Sequence, residues 1–233
     1  MRRSTSIVKT EEDIENEFRK EMQLSENLIL FQFSPLNIDR FVSLLKACNH
    51  EKRTMIIDSY AVHVLDCISK ERKPDGKGRA KIQSWSDRLF KIYFSSAHKN
   101  VPNYLQKQFS QNELLDNSDL KKSVMLVRAS MMNEKKFKSL NIQNTKLIYS
   151  QYSGYRETQE SQKDFEKFLD SKNVTIKNIH TSGHIVFNDL KLLLEKMKPN
   201  LYCPIHSASR NTAYEIYPAN KIKIVDNFIP FSI

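Results

Sequence analysis

The chain has 233 residues, of which 39% are hydrophobic and 27% charged, a globular balance that suits one large domain or two small ones. Lys and Arg outnumber Asp and Glu by 37 to 27, and the net charge of +10 favours anionic partners, nucleic acid before membrane. No apolar run approaches the roughly 20 residues of a membrane span, and three cysteines without a CxxC pair predict reduced thiols in the cytoplasm.

The first half of the chain alternates between helix and strand patterns. Apolar residues at a spacing of four predict a helix from Thr10 to about Met22, with Thr10 as the N-cap. Strands are predicted at 27–33, 54–57 and 91–94, and helices at 37–48 and 60–68. Residues 70–90, rich in Lys, Arg and Ser, predict a loop or lid, and residues 103–115 predict one or two helices.

The second half continues the alternation. Strands are predicted at 123–128, 146–151, 174–179, 200–205 and 221–225, and helices at 133–140, 161–169 and 187–197. Strands that alternate with helices indicate βαβ units, because a parallel strand pair needs a crossover connection. The predicted fold class is therefore α/β, with a largely parallel sheet and helices on both of its faces.

Polar residues follow many of the predicted strands. In parallel sheets, ligands bind beyond the carboxyl ends of the strands, where the loops begin. The residues at those positions are Ser34, Asp58, Arg128, the segment 150–154, His180 and His206. Asp58 is better explained as the N-cap of the following helix than as a site residue.

The glycine content excludes two kinds of nucleotide site. The chain has only four glycines, and neither a dinucleotide fingerprint nor a P-loop is present. Gly76 and Gly78 lie among basic residues and predict an exposed turn.

The densest polar cluster is His180-Thr181-Ser182-Gly183-His184, which follows a predicted strand and precedes a predicted helix. Imidazoles and a hydroxyl at a helix N-terminus suit phosphate binding and proton transfer near neutral pH. His206 ends another predicted strand, where one ring nitrogen could ligate a metal. Spacing alone leaves a functional site and ordinary helix capping equally supported.

These segments resemble a known family. His180-Thr181-Ser182-Gly183-His184, followed by Lys198-Pro199 and Pro204-Ile205-His206, is similar to the HxSGH…KP…P(V/I)H signature of metallo-β-lactamase-fold nucleases with a β-CASP insert. Ribonuclease J-like hydrolases are the relatives it resembles most. Asn37-Ile38-Asp39-Arg40 is similar to their Asn-(Ile/Val)-x-Arg segment, and residues 150–155 fall where they carry a comparable loop.

The resemblance implies a fold and residue roles. It implies a leading remnant at 1–7, a β-CASP-like α/β domain at 8–170, and the C-terminal βα part of a metallo-β-lactamase fold at 171–233. His206 matches a metal ligand, and His184 matches the histidine beside the scissile phosphate, a catalytic role. His180, Ser182 and Gly183 match a loop that contacts substrate phosphate. The complete family site holds two divalent metal ions, which we expect to be zinc.

The chain departs from the family pattern in its metal ligands. The HxHxDH motif is absent, as are the following His and bridging Asp, and Ser207 stands after His206 where relatives carry Gly. One histidine cannot hold a metal pair. We therefore expect the C-terminal part of a metal-dependent RNA phosphodiesterase that is inactive alone, with an apolar patch exposed in 171–233.

Several explanations of the missing ligands stay open. The HxHxDH half could be a separate chain, the reading frame could be truncated, or the protein could have left catalysis. In the last case it would be a non-catalytic RNA-binding or interaction module that keeps the phosphate loop and the basic surface.

Overall fold

The protein is described by a computed structural model over residues 9–71, 90–94, 107, 109–114, 116–181, 185, 187–205 and 210–225. The chain divides into two compact units. The first, the sheet unit, runs from Lys9 to Thr181, and the second contains the chain from Ser182 onward.

The sheet unit is built on six parallel strands. They are β1 (Ile29–Gln32), β2 (Thr54–Asp58), β3 (Phe90–Tyr93), β4 (Ser123–Leu126), β5 (Lys146–Tyr149) and β6 (Thr175–Asn178). Their order across the sheet is β3-β2-β4-β1-β5-β6, and every neighbouring pair is parallel. Every residue of β1 and β4 is buried, as expected of central strands covered on both faces.

Helices cover both faces of this sheet. The described helices of the sheet unit are α1 (Glu11–Gln23), α2 (Ile38–His50), α3 (Ser59–Glu71), α4 (Lys135–Ser139), α5 (Gly154–Thr158) and α6 (Glu160–Asp170). Side chains of α1, α2 and α3 share one apolar core with alternate strand residues such as Phe31 and Ile148. Side chains of α4 and α6 share the other core with the intervening residues, such as Leu30 and Leu147. The predicted α/β class with a parallel sheet between two helical layers is therefore confirmed.

Three predicted helix starts have the capping contacts that their sequences call for. The Asp13 amide donates to Thr10 Oγ1 at 3.1 Å and the Thr10 amide to Asp13 Oδ2 at 2.8 Å, a capping box at α1. Asn37 Oδ1 accepts from the Arg40 amide at α2. The Ala61 amide donates to Asp58 Oδ1 at 2.9 Å, so Asp58 caps α3.

The two predicted C-terminal strands are wrong. Residues 200–205 and 221–225 meet only through a single parallel bridge between Tyr202 and Ile222. The Tyr202 amide donates to the Lys221 oxygen, and the next bond of a parallel ladder would need an amide proton at Pro204, which has none. No ladder forms along these segments as a result.

Other differences are local. The short helix α5 was not predicted, and residues 129–133 form a 3-10 helix where the predicted strand 123–128 gives way to α4. Within the predicted helical stretch 103–115, the described part contains the 3-10 turn Ser110–Asn112. Most of the predicted lid at 70–90 lies outside the described residues.

The C-terminal unit contains α7 (Phe187–Met197) and two 3-10 helices, Arg210–Glu215 and Ala219–Lys221. Only Leu194 of α7 is buried, while Leu192, Met197 and Ile205 are exposed by 54%, 66% and 70%. Large apolar side chains are therefore exposed in this part of the chain. The resemblance implies a domain boundary at residue 170. Strand β6 lies after that residue, yet it pairs with β5 and belongs to the sheet unit.

None of the helices in the described part of the chain is long and apolar enough to cross a bilayer. The three cysteines are free thiols, and burial raises the pKa of the Cys48 thiol to about 12, so it stays protonated.

Candidate functional site

The connections that leave β1 and β5 lie on opposite faces of the sheet. The chain leaves β1 through α2, on the face that also carries α1 and α3. It leaves β5 toward α6, on the opposite face. Neighbouring parallel strands whose outgoing connections lie on opposite faces leave a crevice beyond their carboxyl ends, which is where ligands bind in this class of fold.

A buried arginine lies at this crevice. The Arg40 side chain is only 1% exposed, and its Nε and Nη2 donate to the two carboxylate oxygens of Glu11, each at 2.9 Å. Its Nη1 donates to the backbone oxygen of Ser150 at 2.9 Å and to the Ser150 hydroxyl. Burial of a guanidinium is costly unless hydrogen bonds or an opposite charge compensate it, and Arg40 has both.

The same network reaches His180. The Ser150 hydroxyl donates to the backbone oxygen of Ile179, and Arg40 Nη1 lies 3.4 Å from His180 Nδ1. Arg40 lies in α2 after β1, Ser150 follows β5 and His180 follows β6, so the contacts join the segments that follow three strands. We call the contacts among Glu11, Arg40, Ser150 and His180 the Arg40 network.

Glu11 supplies the negative charge of the Arg40 network. Burial alone would raise the pKa of its carboxyl, but the hydrogen bonds and charge of Arg40 outweigh burial, with help from Ser43 and His180. The Ser43 hydroxyl donates to Glu11 Oε2 at 3.1 Å. The pKa of Glu11 therefore lies below its ordinary value, and the carboxylate is ionised at neutral pH.

Of the predicted site residues, His180 is described and is half-buried at the edge of the sheet. Its neighbour Thr181 donates a hydrogen bond from its hydroxyl to the backbone oxygen of Lys9 at 2.5 Å. Ser182, Gly183, His184 and His206 lie outside the described residues, and their roles stay predictions.

The sequence alone did not reveal the part played by Glu11. Three acidic residues begin α1, which is ordinary for a helix N-terminus, and nothing in their spacing separates Glu11 from its neighbours. The available signal was Arg40, which lies in the apolar pattern of α2 and, if buried, called for polar partners such as a carboxylate.

A second polar cluster lies at the carboxyl ends of β2 and β4. Asp58 forms an ion pair with Arg128, whose guanidinium lies 5.0 Å from the centre of the Tyr60 ring. Tyr93 donates from its hydroxyl to Glu134 at 2.8 Å, and burial together with that bond raises the pKa of Tyr93. Asp58 also caps α3, so this cluster is explained by packing and capping.

The described residues do not provide a metal site. Among them, no group of three or more His, Cys, Asp or Glu side chains could hold a metal ion. The donor set described here therefore does not fit the two-metal centre that the resemblance implies.

Comparison with known proteins adds the fold alone. No family model matches the chain, and no curated protein matches it. Among solved structures, it is similar to a protein of unknown function from Enterococcus faecalis V583, with a TM-score of 0.62 and 17% identity. The match covers 97% of this chain and 47% of that chain, so this sequence spans about half the length of that structure.

Proposed function

We propose that this chain is the C-terminal part of a metal-dependent hydrolase of RNA phosphodiesters, similar to ribonuclease J-type enzymes with a β-CASP domain. In this proposal His180, Ser182 and Gly183 contact the substrate phosphate, His184 acts beside it and His206 is a metal ligand. The remaining ligands for two divalent ions come from a polypeptide segment outside this sequence, and the chain is inactive without it.

The observation that carries the proposal is the Arg40 network. The resemblance singled out Asn37-x-x-Arg40, the loop at 150–155 and the segment beginning at His180 as separate stretches of sequence. Arg40, Ser150 and His180, one residue from each stretch, are hydrogen-bonded together at the carboxyl edge of the sheet. Their contact supports the proposal that the three stretches form one site at the carboxyl ends of the strands.

Two further observations support the proposal. One concerns the segment that would supply the remaining ligands, and the other concerns the RNA substrate. The matched solved structure continues well beyond the part that this chain covers, and Leu192, Met197 and Ile205 expose apolar surface in the C-terminal unit. The net charge of +10 favours a polyanionic substrate.

The proposal is tested first by binding. Single-stranded RNA is titrated against the full chain in a salt series, for the wild type, Ser182→Asp, His184→Ala and Lys121→Ala. Lys121 is the control, because it is exposed and precedes β4, at the opposite edge of the sheet. Ser182→Asp places a carboxylate where a phosphate should lie, so we expect a loss of about tenfold or more, against about twofold for Lys121→Ala.

Hydrolysis separates the enzyme from the alternative. With Zn²⁺ or Mn²⁺ added, the chain alone should leave RNA intact, and addition of a polypeptide that carries HxHxDH should restore cleavage. Restored cleavage that requires His206 would support the enzyme. Tight RNA binding without cleavage in any such mixture would favour the non-catalytic RNA-binding module, and Ser182→Asp binding as tightly as the wild type would refute the phosphate loop.

A further inference from the structure

The turn that follows β5 carries two exposed tyrosines. Tyr152 and Tyr155 are exposed by 51% and 44%, and their ring centres lie 5.5 Å apart. The ring planes are nearly perpendicular, at 89°, so neither ring is stacked face to face on the other. Exposed aromatic rings that lie side by side are a feature of interaction sites, where tyrosine is enriched.

Several contacts hold the backbone of this turn. Tyr149, the last residue of β5, donates from its hydroxyl to the backbone oxygen of Tyr152 at 3.2 Å, and the Tyr155 amide donates to the same oxygen at 3.2 Å. Arg156 donates from Nε and Nη2 to the carboxylate of Glu166 on α6, at 2.7 and 2.9 Å. The two exposed rings are therefore carried by a backbone that is tied to a strand and to a helix.

Gly154 leaves room for the ring of Tyr152. A methyl group at the Cβ position of Gly154 would overlap Cε1, Cζ and the hydroxyl of that ring. Because these atoms are the far end of a rotatable side chain, a larger residue at 154 would displace the ring and leave the backbone in place. The absence of a side chain at Gly154 is thus matched to one placement of Tyr152.

The turn lies beside the Arg40 network. Ser150 belongs to that network and precedes Tyr152 by two residues, so their Cα atoms are at most about 8 Å apart. Both residues follow β5, at the edge of the sheet where ligands bind in this class of fold. The tyrosines are therefore close to the segment that the proposed function assigns to the substrate phosphate.

We propose that Tyr152 and Tyr155 form a stacking surface for an unpaired base of single-stranded RNA, whose backbone phosphate binds at the neighbouring strand ends. This inference rests on the proposed function, which supplies RNA as the substrate. Every base has an aromatic face, so tyrosine rings stack on bases without selecting a sequence, whereas the bases of a duplex are already stacked. The net charge of +10 favours a ligand that joins such bases through phosphates.

Two oligomers separate stacking from charge. An oligoadenylate of about eight nucleotides and an oligomer of the same length that lacks the bases carry the same phosphates, and fluorescence anisotropy measures the binding of each to the full chain. Tyr152→Ala should weaken binding of the oligoadenylate about tenfold and of the base-free oligomer less than twofold. Tyr152→Phe keeps the ring and should bind within about twofold of the wild type. Equal losses for the two oligomers in Tyr152→Ala would overturn the proposal.

Salt dependence gives a second readout of stacking. Phosphate contacts release counterions and set the slope of the logarithm of affinity against the logarithm of salt concentration, whereas stacking releases none. Tyr152→Ala should therefore lose the same factor in affinity for the oligoadenylate at every salt concentration, with the slope unchanged. A shallower slope in this variant would show that the tyrosine acts through the phosphates, which contradicts the proposal.

Gly154→Ala tests the placement of the ring, because it displaces Tyr152 while both tyrosines remain. This variant should fold, as circular dichroism would show, and should bind the oligoadenylate about fivefold more weakly than the wild type. Leu24 is the control, since it is 76% exposed and precedes β1, at the amino ends of the strands. Leu24→Ala should change affinity less than twofold. Wild-type affinity in Tyr152→Ala and in Gly154→Ala would assign the pair to a protein contact and would overturn the proposal.

The stacking surface and the phosphate loop fail in different ways. If Ser182→Asp weakens RNA binding and Tyr152→Ala does not, only the stacking surface is overturned. If Tyr152→Ala weakens binding of the oligoadenylate alone and Ser182→Asp has no effect, the phosphate loop is overturned and the stacking surface is supported. If the wild type binds neither oligomer at low salt, both are overturned.

Discussion

Arg40 and Arg53 are buried at opposite edges of one sheet and are satisfied in different ways. Arg40 pairs with a carboxylate, whereas Arg53 donates to backbone oxygens, including those of Asn27 and Met22. Burial lowers the pKa of Arg53, but the guanidinium stays charged at any pH at which the protein folds. Arg40 is thus stabilised by a carboxylate at the carboxyl ends of the strands. Arg53 is stabilised by carbonyl oxygens at their amino ends.

Glu21 joins α1 to the neighbouring strands β5 and β6. Its side chain is 4% exposed, and its carboxylate accepts from Lys146 and from Lys177 at 2.6 Å. Burial would raise the pKa of Glu21, but the hydrogen bonds and charges of the two lysines outweigh burial, so the pKa lies below the ordinary value.

A carboxyl whose pKa is lower in the folded state stabilises the fold above its unfolded pKa, and this contribution is lost as pH falls through the folded pKa. Glu21→Gln should therefore lower the free energy of unfolding by about 1 kcal/mol at pH 7, since Lys146 and Lys177 remain partly solvated. Urea denaturation at pH 7 and at about pH 3 measures the difference between the two proteins, which should shrink toward zero in acid.

Glu160→Gln is the matched control for Glu21→Gln. Glu160 pairs with Lys163 on α6, but its side chain is 77% exposed, so its loss should change stability by less than about 0.5 kcal/mol. A deficit of Glu21→Gln that persists undiminished at pH 3 would contradict the assigned role of the carboxylate charge.

Helix α6 packs on the second apolar core through aromatic side chains. Phe165 is fully buried, with its ring centre 6.3 Å from that of Phe137 on α4. Phe168 stacks beside it at 6.4 Å but is only partly buried. Phe165 and Phe168 are therefore the same residue type on the same helix and differ in burial.

Phe165→Ala should destabilise the protein by about 3–5 kcal/mol, because it removes a whole buried ring and leaves a cavity in the second core. Phe168→Ala should cost about half as much or less, because water already reaches part of its ring. Thermal or urea unfolding measures both variants. Similar losses for the two would show that α6 is not oriented as described here.

The amphipathic helices were predictable because their buried side chains recur at the spacing of a helical turn. The capping residues Thr10 and Asp58 and the apolar spacing of α1 and α2 were all predicted from the sequence. The segment 200–205 shows the limit of that approach. Its apolar run suits a strand, but a strand forms only where a neighbour offers a ladder, and Tyr202 meets Ile222 alone.

The Arg40 network was predictable only in part. The position at strand ends pointed to the segment 150–154 and to His180, and the resemblance pointed to Arg40. Their meeting depends on the strand order, which places β1 beside β5 and β5 beside β6. Glu11 could not be placed, because its position relative to Arg40 is set by how α1 packs on α2 and by no local pattern.

The sheet unit has all the elements of an independent domain. It contains both apolar cores and every strand of the sheet. We expect a chain of residues 9–181 to fold alone, with the far-ultraviolet circular dichroism of an α/β protein and one cooperative urea transition. A gradual, non-cooperative loss of signal would show that the unit depends on the rest of the chain.

The hydrogen bond between the Thr181 hydroxyl and the Lys9 carbonyl means that the sheet unit begins and ends at one point. Its two ends could be joined by a short turn, and new ends could be opened at exposed residues such as Gln143 and Asn144, between α4 and β5. Circular permutation would then leave the strand order untouched. The sheet unit could likewise be inserted into a single surface loop of another protein, because its first and last residues lie in contact.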